Sequence, residues 1–272
     1  MNIRKDSGPL KWILIGISVL FLFVMLILPL SYVMYTAFSK GIKVFLAAVT
    51  DKYALHSIKL TIEVSLIAVV CNTFFGIFAS WLITKFQFKG KKIISTLIDL
   101  PLTVSPIIAG LIYVLTFGRQ SFIYPYLKAM GVRIIFAVPG IVLATIFVTF
   151  PFISRELIPV LTSQGTDEEE AAALMGANGW TIFWKVTFPH IKWPLLYGIV
   201  LCTARAMGEF GAVSVLSGHL RGRTNTMPLY IELLYQGYDF TGAFAVSAIL
   251  VLMAVIIPVS YTHLRAHETS QD

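Results

Sequence analysis

Apolar positions in this chain fall in long unbroken stretches, separated by short polar ones. Six stretches read as membrane spans, at about 12–38, 58–84, 93–117, 135–160, 193–216 and 241–258. A helix needs roughly 20 apolar residues to cross the hydrocarbon core. In lipid every backbone polar group must be satisfied within the segment, and the alternation of barrel strands is absent, so helices are expected. The pattern therefore predicts an all-α, polytopic membrane helical bundle of about six transmembrane helices.

Two of these stretches carry irregularities. The third opens with Asp99-Leu100-Pro101-Leu102-Thr103-Val104-Ser105-Pro106. Two prolines five residues apart do not fit an undisturbed helix. A broken or bent entry is expected there, with freed backbone groups facing a cavity rather than lipid. Pro101, Thr103 and Ser105 are accordingly candidates for a translocation path. The fifth stretch contains Arg205 and Glu209 within TARAMGEFGA. Four residues apart, they are expected to share a helix face and pair. Each charge costs roughly 3 kcal/mol or more at the bilayer centre, so both should face protein or water. They are read either as a structural pair or as part of a gate or anion path. Pro29 is expected to kink the first span.

The longest polar interruption runs from Glu170 to Pro189, EAAALMGANGWTIFWKVTFP, preceded by Asp167, Glu168 and Glu169. Thr166 with Glu169 has capping-box spacing. Gly176 and Asn178-Gly179 should stop the helix and turn the chain. A second amphipathic piece, Trp180 to Phe188, is expected to end at Pro189.

Glu170-Ala171-Ala172, Gly176 and Pro189 resemble the EAA loop of bacterial ABC-importer permeases. The resemblance implies that this loop is a cytoplasmic coupling helix that sits in a groove of a separate ATPase subunit. DLPLTVSPIIAGL, ARAMGEFGAV and the continuation VSVLSGHLRGRTNTMPLYIELLYQGYDF are similar to oxyanion importers, and in particular to the W-type transmembrane subunit of sulfate/thiosulfate permeases. The resemblance covers roughly residues 10–258 and implies alternating-access import of sulfate or thiosulfate, or of a related oxyanion such as molybdate or tungstate. It also implies an ATPase dimer, a second, T-type permease subunit and a periplasmic sulfate-binding protein as partners. An ion-gradient-driven transporter is the alternative, with Glu209 its strongest carboxylate candidate.

No cofactor is expected on this chain, since no G-x-x-x-x-G-K-[ST] phosphate loop is present; ATP and Mg would sit on the ATPase. Leu216-Ser217-Gly218 is not read as an ATPase signature. With no nucleophile–base pair or paired catalytic carboxylates, the chain is expected to be non-catalytic. His56, His190 and His219 are not clustered as metal ligands, and no metal site is expected.

Composition strengthens the membrane reading, with 57% hydrophobic and 13% charged residues against about a quarter charged in soluble domains. The net charge of +7 is spread over loops rather than gathered in one stripe, which argues against nucleic acid. Lys85, Lys89, Lys91 and Lys92 form a dense basic loop without an acid, which places it in the cytoplasm; the resemblance implies that the membrane is a bacterial inner membrane. Six spans then put both termini and the Glu170 loop inside. Arg4, Lys5 and Lys11 precede an apolar run too long for a signal core, read as an uncleaved first span. Cys71 and Cys202 are read as small buried hydrophobes. Lys59 and Glu63 are expected to pair, and Arg155-Glu156 to lie at the interface. Residues 1–258 are taken as one permease domain. Residues 259–272 turn polar and are read as a non-native or disordered tail that leaves the sixth span short, at roughly 16–18 residues.

Overall fold

The computed structural model describes residues 9–269, and side-chain surroundings within 11–259. Arg4 and Lys5 lie outside the described residues. Among the described residues four helices are long and apolar enough to cross a membrane, or six if each of two bent helix pairs is one span. No strand occurs among the described residues.

The first span, Lys11–Phe38, has no buried residue in its most apolar window. Only its second half meets the bundle, where Ala37 packs with Phe45, Ala245 and Ala248. Pro29 does not end this helix, which runs on through a specific device. A proline has no N–H to return to the carbonyl four residues back. The chain answers with a π turn over Phe23–Ile27, in which the Leu28 N–H donates to Phe23 O. A widened turn of this kind absorbs the missing bond without ending the helix.

Pro189 repeats the device. A π turn over Phe183–Thr187 precedes it, with Phe188 N–H donating to Phe183 O. The expectation that Pro189 ends a short helix is therefore wrong. Proline is tolerated at the start of a helical turn, and the helix runs from Gly179 through the π turn into Phe188–Met207. The fifth span thus begins inside the polar loop.

The second span, Lys52–Lys85, has 34 residues, about 50 Å of helix, more than the hydrocarbon core requires. It packs with the fourth span, Val138–Gln164, and the fifth. Ile153 is fully buried at the centre of that contact. A Cβ added at Gly76 would stand 2.9 Å from Ile153 Cγ2, and one at Gly198 3.1 Å from Ile153 Cα. These two glycines set how closely the three helices approach. Polar contacts cross the same seam: Asn72 Nδ2 donates to Thr149 Oγ1 at 2.8 Å and lies 3.8 Å from Cys202 Sγ. Cys202 is fully buried, whereas Cys71 is only half-buried.

The third segment is broken as expected. Lys91–Thr103 and Pro106–Phe117 bend by 110° about Val104-Ser105. The last helix, Phe240–Thr269, does not stop at Pro258. Its candidate span, Phe240–Val259, is 20 residues long, so the short sixth span is not observed.

Candidate functional site

The loop after the fourth span builds a small helix, Asp167–Leu174, with all four acids in its first turn. That placement suits the positive end of the helix dipole. Its end is a Schellman turn. Gly176 N–H donates to Ala173 O at 2.9 Å and Ala177 N–H to Ala172 O at 3.1 Å. Gly176 sits at φ +86°, where a side chain would cost roughly 1–2 kcal/mol. Asn178 then caps the next helix by accepting from Thr181 N–H at 2.8 Å. Gly176 and the Asn178-Gly179 turn therefore act as their residue types require.

The capping box does not form. Thr166 has φ −119° and ψ −6° and makes no side-chain cap. That backbone is not the extended one from which an N-cap hydroxyl reaches the free N–H groups of the first turn. Thr166 Oγ1 donates to Glu170 Oε1 instead, at 2.7 Å. Glu169 turns away from the helix end altogether. Lys85, the last residue of the second span, places Nζ 3.0 Å from Glu169 Oε1. Thr187, in the π turn, donates to the same oxygen at 2.6 Å. Lys85 also donates to Gly165 O. Side-chain exposure is 6% for Lys85 and 16% for Glu169, so the pair is desolvated. Glu168 meets His190 Nε2 at 2.9 Å.

The loop is therefore tied to the ends of two spans through Glu169. Glu170, the acid singled out by its motif position, is exposed, as are Ala171 and Pro189, while Ala172 is buried. Beyond the tie, Leu174 and Met175 stand 90% and 83% exposed, an apolar tip with nothing on it in the isolated chain. Lys85 and Thr187 were missed as site residues. Lys85 signalled only topology, and no local spacing links it to residue 169.

The second cluster lies where the fifth span breaks. Arg205 Nη1 stands 2.7 Å from Glu209 Oε2, with Glu209 1% exposed and Arg205 33%. The expected pair forms, but not along one continuous helix. The first half of the span ends at Met207, the second starts at Gly211, and the two bend by 49°. Glu209 sits in the break and spends its other oxygen on the helix that follows, accepting from Ala212 N–H at 2.8 Å. It is at once a counter-charge and a cap, so a buried carboxylate has both oxygens engaged.

The two broken segments meet at their breaks. A Cβ added at Gly211 would stand 2.9 Å from Pro106 Cβ and 3.5 Å from Ile107 N. Pro101 is buried one turn earlier, while Thr103 and Ser105 are exposed. Thr103 donates to Leu100 O at 2.9 Å. Arg155 on the fourth span reaches Asp99 Oδ1 at 2.9 Å and so braces the third segment ahead of its bend. Lys59 and Glu63 pair at 3.6 Å with both side chains exposed.

A family model described as binding-protein-dependent transport system inner membrane component matches residues 72–268. The chain belongs to this family. The sulfate transport system permease protein CysW of Escherichia coli (strain K12) is 50% identical over 256 residues, covering 93% of this chain and 88% of that protein. The protein of the same name from Synechocystis sp. (strain ATCC 27184 / PCC 6803 / Kazusa) is 44% identical over 94% of this chain and 92% of its own length. Among solved structures, a chain of a bacterial alginate ABC transporter, in complex with an alginate pentasaccharide-bound periplasmic protein, superposes with a TM-score of 0.80 at 18% identity. The match covers 96% of this chain and 95% of that one. At that identity the likeness concerns the fold. The resemblance to ABC-importer permeases is borne out.

Proposed function

We propose that the chain is a transmembrane subunit of an ATP-driven sulfate importer of a bacterial inner membrane, working by alternating access. The substrate class follows the names of relatives that match almost the whole chain. The observation that carries the mechanism is the Lys85–Glu169–Thr187 tie. The exposed tip at Leu174-Met175 is the surface offered to an ATPase dimer on the cytoplasmic side. Whatever moves that tip also moves the end of the second span through Lys85 and the start of the fifth through Thr187. The fifth span then runs without interruption to the Gly208 break, which carries Arg205 and Glu209 and beyond which Gly211 meets Pro106 of the broken third segment.

ATP and Mg belong to the ATPase in this reading, and this chain supplies no catalytic group. A T-type permease completes the pathway, and a periplasmic binding protein delivers the anion. In this reading both termini lie in the cytoplasm, which the dense basic Lys85–Lys92 loop supports. ATP must favour one access state over the other by about 5.5 kcal/mol to reverse a 1:99 population. Sulfate passing the breaks would meet Arg205, one third exposed and already balanced by Glu209. Such a site eases an anion through without trapping it.

The test is sulfate uptake into vesicles holding the complete transporter, with ATP or an ion gradient as the energy source and molybdate as competitor. ATP-dependent uptake that Gly176→Asp abolishes is expected, with the helical signal of the chain unchanged. Uptake driven by an ion gradient without ATP refutes the reading, and stronger competition by molybdate than by thiosulfate refutes the substrate class.

A further inference from the structure

A cavity of 430 Å³ opens beside the coupling loop, between the second span and the start of the fifth. This volume falls in the range of small-ligand sites, roughly 300–1,000 Å³. Its lining is wholly apolar and mostly aromatic, with Phe74, Phe78 and Trp81 on one side and Trp180, Phe183 and Trp184 on the other. The rings brace one another across the two elements, with Trp81 and Phe183 centroids 6.1 Å apart, and along the fifth span, with Trp184 and Phe188 4.9 Å apart. The walls are not covered: Trp180 is 72% exposed and Phe78 51%.

Depth follows from helix rise. Trp81 and Phe74 precede Lys85 by four and eleven residues, about 6 and 16 Å along the axis. The cavity therefore spans the interfacial layer and the first part of the hydrocarbon, where indoles concentrate. Beyond the Trp81 end of the cavity, Lys89 follows Phe86, whose ring meets Trp81 at 5.9 Å, and Lys185 is the chain neighbour of the lining residue Trp184. Both are exposed, and neither holds an ion pair among the described residues. Of the acids in the loop before the fifth span, Glu169 is held by Lys85 and Glu168 by His190, Glu170 accepts from the Thr166 hydroxyl, and none pairs with Lys89 or Lys185 among the described residues.

An apolar slot at acyl-chain depth with unneutralised lysines at its headgroup end has the polarity gradient of an anionic glycerophospholipid. We propose that this cavity holds the acyl chain of one such lipid, with its phosphate between Lys89 and Lys185. A protein helix is a poorer occupant, because it would need acids at that one level and would bury two lysines otherwise. The bound lipid would prop Trp180 and the turn at Gly179, and so set the resting position of the coupling loop. The inference rests on the coupling reading only for that last consequence; occupancy is independent of it.

The test places the photoreactive amino acid benzoylphenylalanine at Phe78 in the assembled transporter, in vesicles of equimolar phosphatidylglycerol and phosphatidylcholine with acyl chains of distinguishable mass. After irradiation, mass spectrometry of the peptide containing position 78 is expected to show phosphatidylglycerol adducts in about thirtyfold excess, in line with two lysines near an anionic headgroup. Lys89→Gln with Lys185→Gln should bring the ratio close to one. Gly179→Leu should lower the yield of both adducts, since nothing stands within 4 Å of a Cβ there and the new side chain fills the slot. Copurification of the ATPase checks that each variant is assembled. An equal ratio in the unsubstituted protein, or adducts mainly to another protein chain, overturns the proposal.

Discussion

Removing Lys85 tests how the coupling loop is held. In Lys85→Met the Glu169 carboxylate keeps the Thr187 hydroxyl but loses its counter-charge, and Gly165 O loses its donor. Both members of the pair are largely shielded, at 6% and 16% exposure. Breaking such a pair from one side costs about 3–5 kcal/mol, because the surviving charge stays desolvated. Taking the low end for a site at the membrane edge, about 3 kcal/mol of local stability corresponds to about a hundredfold rise in the undocked population of the loop. Hydrogen exchange of the amides of Glu170, Ala173 and Ala177 should accelerate by about that factor, and ATP-driven uptake should fall with it. In Lys85→Met with Glu169→Met, no charge is left buried, so exchange should return most of the way while Glu169→Met alone remains fast. Glu170→Gln removes an exposed contact to Thr166 and should change exchange by less than about fivefold, the size of an exposed interaction. Exchange in Lys85→Met within a factor of three of the unsubstituted protein would refute the tie, and so would a Glu170→Gln effect larger than that of Lys85→Met.

The remaining expectations concern the breaks and the start of the second span. Arg205→Met with Glu209→Gln removes the charge pair while keeping an acceptor for Ala212 N–H; complex yield should recover relative to Arg205→Met alone, whereas sulfate uptake should stay lost. Normal uptake by the double variant would reduce the pair to a structural role. Gly110→Ala places a Cβ 2.7 Å from Ala212 O, against backbone that has little freedom to yield; it should destabilise by about 1–3 kcal/mol, read as a lower midpoint in thermal unfolding in detergent. At the start of the second span, slight desolvation works upward on the exposed Asp51, but the N–H groups of Tyr53 and Ala54, the Tyr230 hydroxyl and Arg221 outweigh it and hold the carboxyl below its usual value. A lowered folded value stabilises above the unfolded pKa of about 3.9, and the contribution is lost as pH falls through the folded one. Thermal midpoints between pH 6 and pH 3 should therefore drop more steeply in the unsubstituted protein than in Asp51→Asn, and parallel slopes would contradict this.

Several features were legible from the chain alone because they depend on near neighbours. Span positions follow from apolar runs, and the broken third segment from Pro101 and Pro106. The stop at Gly176 follows from the positive φ that its Schellman turn needs, and the Arg205–Glu209 pair from four-residue spacing. Local pattern also misled where two local solutions compete. Thr166 and Glu169 have the spacing of a capping box, yet a desolvated lysine attracts Glu169 more strongly than a solvated helix end does. Pro189 has the mark of a helix stop, yet a π turn before it lets the helix continue, and packing of the fifth span against Ile153 rewards that continuation. The Lys85–Glu169–Thr187 tie and the meeting of Gly211 with Pro106 were decided only by tertiary structure. They join residues tens to more than a hundred positions apart, brought together by close packing of three helices around Gly76 and Gly198, and no periodicity along the chain records such a contact.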